Sequence, residues 1–367
     1  PEAHFFAMSV LKSLGRAWVN LNGSCSTLPR SVLCLFVIVQ KNMTRRKKRS
    51  CHMRDDLGRN IRYLRLSVTD RCNCRCLYCM PAQGVPMLCH EDILSFEEMR
   101  MIVEAAAQLG VKKVRLTGGE PLVRRGIVDL TRMISAVDGI EEVVMTTNAT
   151  LLAPLAKDLK AAGLSRLNIS LDTLDPKRYA RLSRTGTLAD ALAGIAAARE
   201  AGFTHTKFNA VLLGGLNEDE IRPLAEMAQH EPVDVRFIEL MRMGECSRWP
   251  TERFVSADCV LDVLPELIPL GSGGVAELFG APGWQGKVGL IRPMTHTFCS
   301  SCDRIRVTAD GMLKPCLHSA REIALRGLSG EELLAALSRG IAQKPEGHAI
   351  DLTHASKSLR AMNEIGG

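Results

Sequence analysis

The feature that most constrains this chain is a short run with four cysteines, Cys72-Asn73-Cys74-Arg75-Cys76-Leu77-Tyr78-Cys79. Cys72, Cys76 and Cys79 form a C-x3-C-x2-C arrangement. Three thiolates in one tight loop favour soft metals, namely iron–sulfur clusters, zinc or copper(I). Structural zinc sites usually have four protein ligands. A triplet leaves one iron of a four-iron cluster open to a small molecule, so the spacing predicts a cluster that takes part in chemistry.

This triplet, with the aromatic Tyr78 before its last cysteine, resembles the signature of the radical S-adenosylmethionine (SAM) enzymes. The alternative is a chance group of free or zinc-bound cysteines. Cys74 lies too close to Cys72 to replace a ligand without changing the loop, so we interpret it as a spare thiol.

A second cysteine set comes late in the chain, as Cys299, Cys302 and Cys316 in a C-x2-C-x13-C arrangement. Two triplets in one chain are more specific than one. A zinc site completed by His318 or His296 is the alternative. Arg304 and Arg306 directly follow the first pair, so they can place guanidinium donors beside whatever the set binds.

The net charge of +7 is unevenly distributed. Residues 1–54 contain ten Lys or Arg and one acid, which leaves the remainder at 37 − 39 = −2. The body of the chain is therefore not basic, and no nucleic-acid partner is expected. We interpret residues 1–54 as a disordered extension, or as upstream sequence ahead of a start at Met43 or Met53; a transit peptide fits loosely.

The thirteen cysteines are not spread as a disulfide framework, because six fall in the two triplets. This usage predicts an intracellular, cytoplasmic, metal-binding protein. No run approaches the roughly 18 apolar residues of a membrane span, so no membrane partner is expected.

From Tyr63 onward, short strand-like runs alternate with helical segments. This alternation predicts an α/β fold with a parallel sheet, a partial open (βα)6 TIM-like barrel. The predicted domains are a barrel over 55–250 and a smaller C-terminal α+β domain over 251–367 that carries the second cluster. The predicted strands are Tyr63–Thr69, Lys113–Thr117, Glu142–Thr147, Arg166–Leu171, Thr206–Leu212 and Asp234–Glu239. The predicted helices include Phe96–Leu109, Ile127–Val137, Pro154–Ala162, Leu188–Ala201, Asp219–Gln229 and Gly330–Ile341.

Most of these strands alternate apolar and polar residues, although a fully buried parallel sheet is apolar on both faces. Since the apolar set must face the helices, Arg65, Arg115, Ser170 and Lys207 are predicted to face the interior. A basic interior predicts a cavity for a polyanionic ligand. The orientation of Arg236 cannot be assigned, because its strand alternates irregularly.

Barrel chemistry gathers at the C-terminal ends of strands, and the motifs of this chain fall there. The cysteine run follows the first strand, and Thr117-Gly118-Gly119-Glu120-Pro121 ends the second. Gly118-Gly119 would let backbone approach a ligand such as the methionine part of SAM.

Together these features resemble the GTP 3′,8-cyclase family of molybdenum cofactor biosynthesis, over residues 57–367. The elements that carry the resemblance are Arg62–Asp70 with the first triplet, Thr117–Leu122, Asn168–Asp172, Arg236–Met241, Phe298–Cys302 with Arg304–Arg306, and the terminal Gly366-Gly367.

The resemblance implies SAM and two 4Fe-4S clusters. It implies that Cys72, Cys76 and Cys79 hold the SAM-binding cluster, and that Cys299, Cys302 and Cys316 hold a cluster that binds GTP. The implied SAM contacts are Tyr78, Gly119, Ser170 and Met241. The implied GTP contacts are Arg65, Arg115, Thr146, Lys207, Arg304, Ile305 and Arg306. The implied catalytic tail is Gly366 and Gly367.

The implied activity is that of a lyase. A 5′-deoxyadenosyl radical removes the 3′ hydrogen of GTP, and the resulting carbon radical attacks C8 of guanine. The implied partners are a ferredoxin- or flavodoxin-type electron donor, a cyclic pyranopterin monophosphate synthase that receives the product, and a second copy of the chain in a homodimer.

Two residues depart from the family pattern, Cys74 where an aromatic is frequent and Ala149 where glycine is commoner. Two other functions stay open at this point. One is a peptide-modifying radical SAM maturase, and the other is a non-catalytic zinc or iron–sulfur scaffold.

Overall fold

A computed structural model describes residues 54–366. The prediction made for residues 1–54 therefore lies outside the described residues except for Arg54, and so does the prediction for Gly367.

One twelve-stranded sheet organises the described chain, in the order β12-β11-β10-β1-β2-β3-β4-β5-β6-β9-β8-β7. The strands are β1 Tyr63–Ser67, β2 Lys113–Thr117, β3 Glu142–Thr147, β4 Arg166–Ser170, β5 Lys207–Leu212, β6 Asp234–Glu239, β7 Ile268–Gly273, β8 Ala276–Gly280, β9 Lys287–Ile291, β10 Arg304–Val307, β11 Met312–Lys314 and β12 Ile323–Ala324.

The helices mostly connect successive parallel strands. They are α1 Phe96–Gln108, α2 Ile127–Ser135, α3 Ala156–Ala161, α4 Pro176–Ser183, α5 Leu188–Glu200, α6 Ile221–His230, α7 Cys259–Val263, α8 Gly330–Ala342 and α9 Met362–Ile365. Over residues 54–366, no helix has the length and apolar character needed to cross a bilayer.

Local sequence explains where several helices begin. Ser95 caps α1 by accepting a hydrogen bond from the Glu98 amide, and the Glu98 carboxylate bonds back to the Ser95 amide. This reciprocal pair is a capping box. Helix α4 was missed in the sequence, although Asp175 caps it and Pro176 occupies its first turn, which together are a helix-start signal.

The six predicted strands and the α/β class are confirmed, but the C-terminal region extends the same sheet. Strand β10 pairs in parallel with β1, and β9 pairs in parallel with β6. The parallel part thus has eight strands, from β10 to β9, with antiparallel hairpins outside them. The edge strands β12 and β7 are not neighbours in this described sheet. A separate C-terminal domain from residue 251 remains a prediction.

The sheet has one apolar and one polar face. Leu64, Leu66 and Val114 are fully buried and belong to the main core with the helices. Residues in register on neighbouring parallel strands share a face. On the opposite face, which we call the polar face, Arg65 lies between Arg115 of β2 and Arg306 of β10. Burying one face this way explains why the strands alternate instead of being apolar throughout.

Close backbone packing supports the turn after β3. Ala149 has a left-handed φ of 64°, a conformation that favours glycine and accounts for the family's preference there. A Cβ built on Gly194 of α5 would overlap the carbonyl oxygen of Ala149. The turn that carries Asn148 therefore lies directly against a glycine of the helix.

We expect Gly194→Ala to destabilise the protein by about 2 kcal/mol, the cost of overpacking a close contact. Replacing glycine by alanine inside a helix usually stabilises a protein instead, because alanine has the higher helix propensity. Urea unfolding measures the difference. Gly340→Ala in α8 is the comparison, since its Cβ would meet the movable end of the Leu313 side chain. An equal or smaller loss at Gly194 would contradict the backbone clash.

Candidate active site

The first cysteine loop, residues 71–80, is held by the end of α4. The amides of Arg75 and Leu77 donate to the carbonyls of Ser183 and Leu182 at 2.9 Å each. The Arg184 guanidinium donates to the carbonyls of Arg75 and Met80 at 3.1 and 2.8 Å. These bonds fix the backbone on both sides of Cys76 and Cys79. The backbone of the loop is therefore held by contacts within the protein.

Glu120 connects the glycine motif to the turn after β3. Its buried carboxylate accepts hydrogen bonds from the Thr147 hydroxyl at 2.8 Å, the Asn148 amide at 2.7 Å and the Leu122 amide at 3.0 Å. Burial raises the pKa of Glu120 to about 7, although these donors oppose the rise. The carboxylate thus ties the ends of β2 and β3 together.

Gly118 and Gly119 allow contact with the chain itself. A Cβ on Gly118 would overlap the Thr69 carbonyl oxygen, and a Cβ on Gly119 would overlap that of Arg71. The amide of Gly119 donates to Thr69 at 2.9 Å, and that of Glu120 to Arg71 at 2.8 Å. The glycines let two backbone segments meet where the cysteine loop begins.

Cys74 is buried within the loop, and its thiol is within hydrogen-bonding reach of the half-buried Cys72 and Cys76 thiols. The Asn148 side-chain amide donates to the Cys74 sulfur at 3.4 Å and to the Asn73 side-chain oxygen at 2.9 Å. The sulfur also fills the space in front of Gly186, whose Cβ would come within 3.1 Å of it. Cys74 therefore packs the underside of the loop.

Tyr78 is oriented by Asp172, which follows β4. The phenol donates to the Asp172 carboxylate at 2.8 Å, and the Val211 amide donates to its other oxygen at 2.8 Å. Burial raises the pKa of Asp172 to about 6 against these two donors. Ser170, the last residue of β4, is half-buried, and so is Met241, which follows β6. The predicted SAM contacts thus lie at strand ends or in the cysteine loop.

The polar face concentrates positive charge. Burial and the charge of Arg306 lower the pKa of Arg65 well below its usual range. Arg115 donates to the Tyr63 hydroxyl and, at 2.8 Å, to the Thr146 hydroxyl. Burial alone would raise the pKa of Tyr63, but Arg115 and Arg65 outweigh it and lower this pKa to about 8. This part of the face is built for an anion.

Arg236, whose orientation the sequence left open, lies on the same polar face. It is in register with Asn209 and Gly289, and forms an ion pair with Asp234 at 3.4 Å. Asp234 also pairs with Lys207. Burial and the charge of Arg236 lower the pKa of Lys207 to about 8, although Asp234 opposes the shift. Lys207 is therefore charged near neutral pH and loses its proton earlier than an ordinary lysine.

The polar face also holds two acceptors that the sequence reasoning did not select. The side-chain oxygens of Asn168 and Asn209 are buried and have no hydrogen-bond partner within the described residues. Buried polar atoms are usually bonded, so these two indicate a ligand or water. Their signal in the sequence was the same alternation that selected Lys207.

The second cysteine set is joined by a buried lysine. The Lys344 ammonium donates to the carbonyls of Arg304 at 2.7 Å and Pro315 at 2.8 Å, which brings the segments of Cys302 and Cys316 together. Burial alone would raise the pKa of the Cys302 thiol, but Arg304 and Lys344 outweigh it and lower this pKa. The side chain of Ile305 is fully buried in the core, so a ligand contact at Ile305 falls to its backbone.

The C-terminal segment reaches the polar face. The Arg306 guanidinium donates to the carbonyl of Gly366 at 2.7 Å. A Cβ on Gly366 would come within 2.8 Å of Thr117 and 3.1 Å of Ser67. Gly366 thus lies beside the C-terminal ends of β1 and β2, at a position that only glycine fits without strain.

Both cysteine sets fit an iron–sulfur cluster by their chemistry. All six cysteines are free thiols. Between residues 54 and 366, no three His, Cys, Asp or Glu side chains form a group suited to one metal ion. The choice between a cluster and zinc stays a prediction. Cysteines of a cubane cluster bind different irons and need not meet at one point. Burial and the charge of Cys72 raise the pKa of Cys79 to about 12, a repulsion that bound iron would reverse.

Comparison with known proteins places the chain among radical SAM enzymes. The family described as the radical SAM superfamily matches residues 66–228, and the family described as molybdenum cofactor synthesis C matches residues 233–350. The chain is 47% identical over 320 residues to GTP 3′,8-cyclase of Alkaliphilus metalliredigens (strain QYMF), which covers 86% of the chain and 100% of that protein. The GTP 3′,8-cyclase of Peptoclostridium acidaminophilum is also 47% identical, over 85% of the chain and 98% of that protein.

A solved structure supports the fold. Streptococcus suis SuiB bound to S-adenosylmethionine superposes with a TM-score of 0.53 at 14% identity, over 98% of this chain and 88% of that one. At this identity, the likeness concerns the fold alone.

We expect Gly119→Ala to loosen the first cysteine loop, because the new methyl group would push against the carbonyl of Arg71, the first residue of that loop. The expected result is loss of iron bound by this loop, so that anaerobically reconstituted protein retains about half of the wild-type iron and sulfide if each cysteine set holds one cluster. Gly202→Ala is the control, since its Cβ meets nothing within 4 Å and only its positive φ is strained. Full iron content in Gly119→Ala would contradict the close-contact role.

Proposed function

The chain belongs to the GTP 3′,8-cyclase family of radical SAM enzymes, and we propose that it converts GTP to (8S)-3′,8-cyclo-7,8-dihydroguanosine 5′-triphosphate, the first step of molybdenum cofactor biosynthesis. In this proposal the chain is a lyase that uses SAM and two 4Fe-4S clusters. The observation that carries the proposal is the row of in-register Arg115, Arg65 and Arg306 between the two cysteine sets. A row of buried guanidinium groups suits a triphosphate.

The first cysteine loop would bind one cluster through Cys72, Cys76 and Cys79. When bound, this cluster and SAM would supply the 5′-deoxyadenosyl radical. The chain itself orients SAM. Because an ammonium group only donates hydrogen bonds, a contact between the SAM ammonium and the Gly118-Gly119 segment would fall to backbone carbonyls. Tyr78, Ser170 and Met241 would complete the SAM site.

The polar face would hold the triphosphate. Arg65, Arg115 and Lys207 would contact its oxygens, with Thr146 fixing Arg115. The unpartnered side-chain oxygen of Asn209 is an acceptor for a ribose hydroxyl. Fixing the ribose in one orientation is the main contribution that a protein makes to such a hydrogen transfer.

The second cysteine set would bind another cluster through Cys299, Cys302 and Cys316, next to Arg304 and the Ile305 backbone. The guanine would lie there, with C8 directed towards the ribose. The tail ending in Gly366-Gly367 would cover the site. The contact between Arg306 and the Gly366 carbonyl supports this role, because one guanidinium then serves both the tail and the substrate.

The proposed partners follow from this chemistry. An electron donor of the ferredoxin or flavodoxin type would reduce the first cluster, and a cyclic pyranopterin monophosphate synthase would take the product. We also propose a homodimer. Cytoplasmic location fits the free state of all ten described cysteines, since reducing compartments keep thiols unpaired.

An anaerobic assay with deuterated substrate tests the function. Reconstituted protein receives dithionite, SAM and GTP that carries deuterium at C3′, and products are followed by mass spectrometry. We expect deuterium in 5′-deoxyadenosine and conversion of GTP to a cyclised nucleotide. Deoxyadenosine without deuterium or GTP loss would favour a peptide-modifying maturase. Absence of deoxyadenosine from fully loaded protein would refute radical chemistry.

The lowered pKa of Lys207 predicts a pH dependence of GTP binding. A lysine ordinarily stays charged to about pH 10, but Lys207 loses its proton near pH 8. Tyr63, with a pKa of about 8, gains negative charge over the same range. Both changes reduce positive charge as pH rises. We expect the Kd for GTP to rise about tenfold between pH 7.5 and 9.0, the loss of roughly one charged hydrogen bond.

Isothermal titration of the cluster-loaded protein measures this dependence. Lys207→Arg is the matched control, because arginine keeps its charge throughout. Its Kd should rise less steeply with pH, with the remaining slope due to Tyr63 and the nucleotide. Parallel slopes for wild type and Lys207→Arg would contradict the assignment of Lys207 to the triphosphate.

A further inference from the structure

An open cleft of about 260 Å³ lies behind the first cysteine loop. It is lined by Leu77, Arg181, Leu216, Trp249, Pro250 and Arg253. None of these residues is among those assigned above to SAM, GTP or either cysteine set. An occupant of this cleft would therefore contact the loop without displacing the substrates.

The cleft shares a wall with the candidate cluster site. Leu77 stands between the ligands Cys76 and Cys79, and its amide donates to the Leu182 carbonyl of α4 at 2.9 Å. The buried Cys246 thiol donates to the Tyr78 carbonyl at 3.0 Å. Leu77 and Trp249 pack against one small apolar cluster that also contains Leu182 and Cys246. Both walls of the cleft are thus packed directly onto the loop.

The cleft combines an apolar centre with positive charge. Leu216, Trp249 and Pro250 supply apolar surface, while two of the six lining residues are arginines and none is an acid. Arg181 is exposed on α4, and Arg253 is held in place by its bond to the Gly214 carbonyl at 2.6 Å. Arg248 is exposed on the neighbouring segment together with Glu245 and Glu252, so the charge of the cleft itself comes from its two arginines. An aromatic centre flanked by arginine is typical of protein-docking surfaces.

We propose that this cleft, formed by α4 and residues 249–253, is the docking site for a small acidic protein that carries single electrons. The proposal rests on the proposed function, which needs an electron at the cluster held by Cys72, Cys76 and Cys79. The reduced carrier loses one electron and the oxidised cluster gains it, with no bond or proton exchanged. The surface fits such a carrier because its charge is complementary and Leu77 in its wall lies between the two cluster ligands Cys76 and Cys79.

The test compares two reductants on full-length, cluster-loaded protein. Stopped-flow absorbance follows cluster reduction by a reduced, purified flavodoxin and, separately, by dithionite. The variant Arg181→Glu/Arg253→Glu should slow the flavodoxin reaction at least tenfold at low ionic strength, within the range by which electrostatic steering alters association rates. Reduction by dithionite should stay within about twofold of wild type, since a small anion needs no docking surface.

The control variant Lys157→Glu/Arg339→Glu makes the same change in net charge on α3 and α8, which do not line the cleft. It should leave both rates near those of wild type. Wild-type reduction by flavodoxin should slow with added salt, and the cleft variant should show a weaker salt dependence. The milder variant Arg181→Gln/Arg253→Gln should give an intermediate rate of reduction by flavodoxin. It replaces the charge-reversal variant in the test if charge reversal lowers the cluster content of the protein.

Equal flavodoxin rates in the cleft and control variants would overturn the proposal. Slower reduction by both reductants would also overturn it, because the change would then lie in the cluster. If only the cleft variant altered the sedimentation behaviour of the protein while flavodoxin rates stayed equal, the cleft would be a contact between copies of this chain instead. The dithionite-driven GTP assay remains independent of these results, so failure of the docking site and failure of the proposed function are distinguishable.

Discussion

Positive charges on one face of a parallel sheet repel each other, and the groups around them are arranged so that these charges can stay close together. Arg115, Arg65 and Arg306 occupy in-register positions on three neighbouring strands, where adjacent chains are only about 4.8 Å apart. Like charges in direct opposition destabilise a sheet. Tyr63 and the Gly366 carbonyl accept some of their hydrogen bonds, but the arrangement is best satisfied by an anion. The repulsion among these three arginines therefore makes the sheet less stable than an uncharged row would be.

A second constraint links the loops around that site. The Glu120 carboxylate accepts a hydrogen bond from the Asn148 amide in the turn after β3. The side chain of Asn148 donates to Asn73 and Cys74 of the first cysteine loop. The glycine pair before Glu120 touches the backbone that opens the same loop. A substitution in the loop after one of these strands would therefore disturb the neighbouring loops through hydrogen bonds about 3 Å long. The thiol of Cys74, interpreted from the sequence as a spare thiol, also takes part in the packing of this loop.

The sequence predicted the parts that follow from local periodicity. The six βα units, the two faces of the sheet and the inward side of Arg65, Arg115 and Lys207 all follow from the period of two in a strand and the apolar pattern. It did not predict that β9 and β10 extend the sheet at both sides, because these pairings join residues 53 positions apart (Asp234 with Lys287) and 241 positions apart (Tyr63 with Arg304) and leave no local pattern. Arg236 was left open for a related reason, since its strand has apolar residues on both faces.

The function of Gly118-Gly119 shows another limit of sequence reasoning. The pair predicted close approach by a ligand, which stays a prediction, and the structure adds close approach by the chain itself at Thr69 and Arg71. The pairing of β1 with β10 has a consequence for biosynthesis. While the polypeptide is still being made, the strand beside the first cysteine loop lacks the neighbour that will cover its open edge. That edge can be paired only after Val307 has left the ribosome, so for most of its synthesis the nascent chain carries an unpaired strand edge, a surface that favours aggregation.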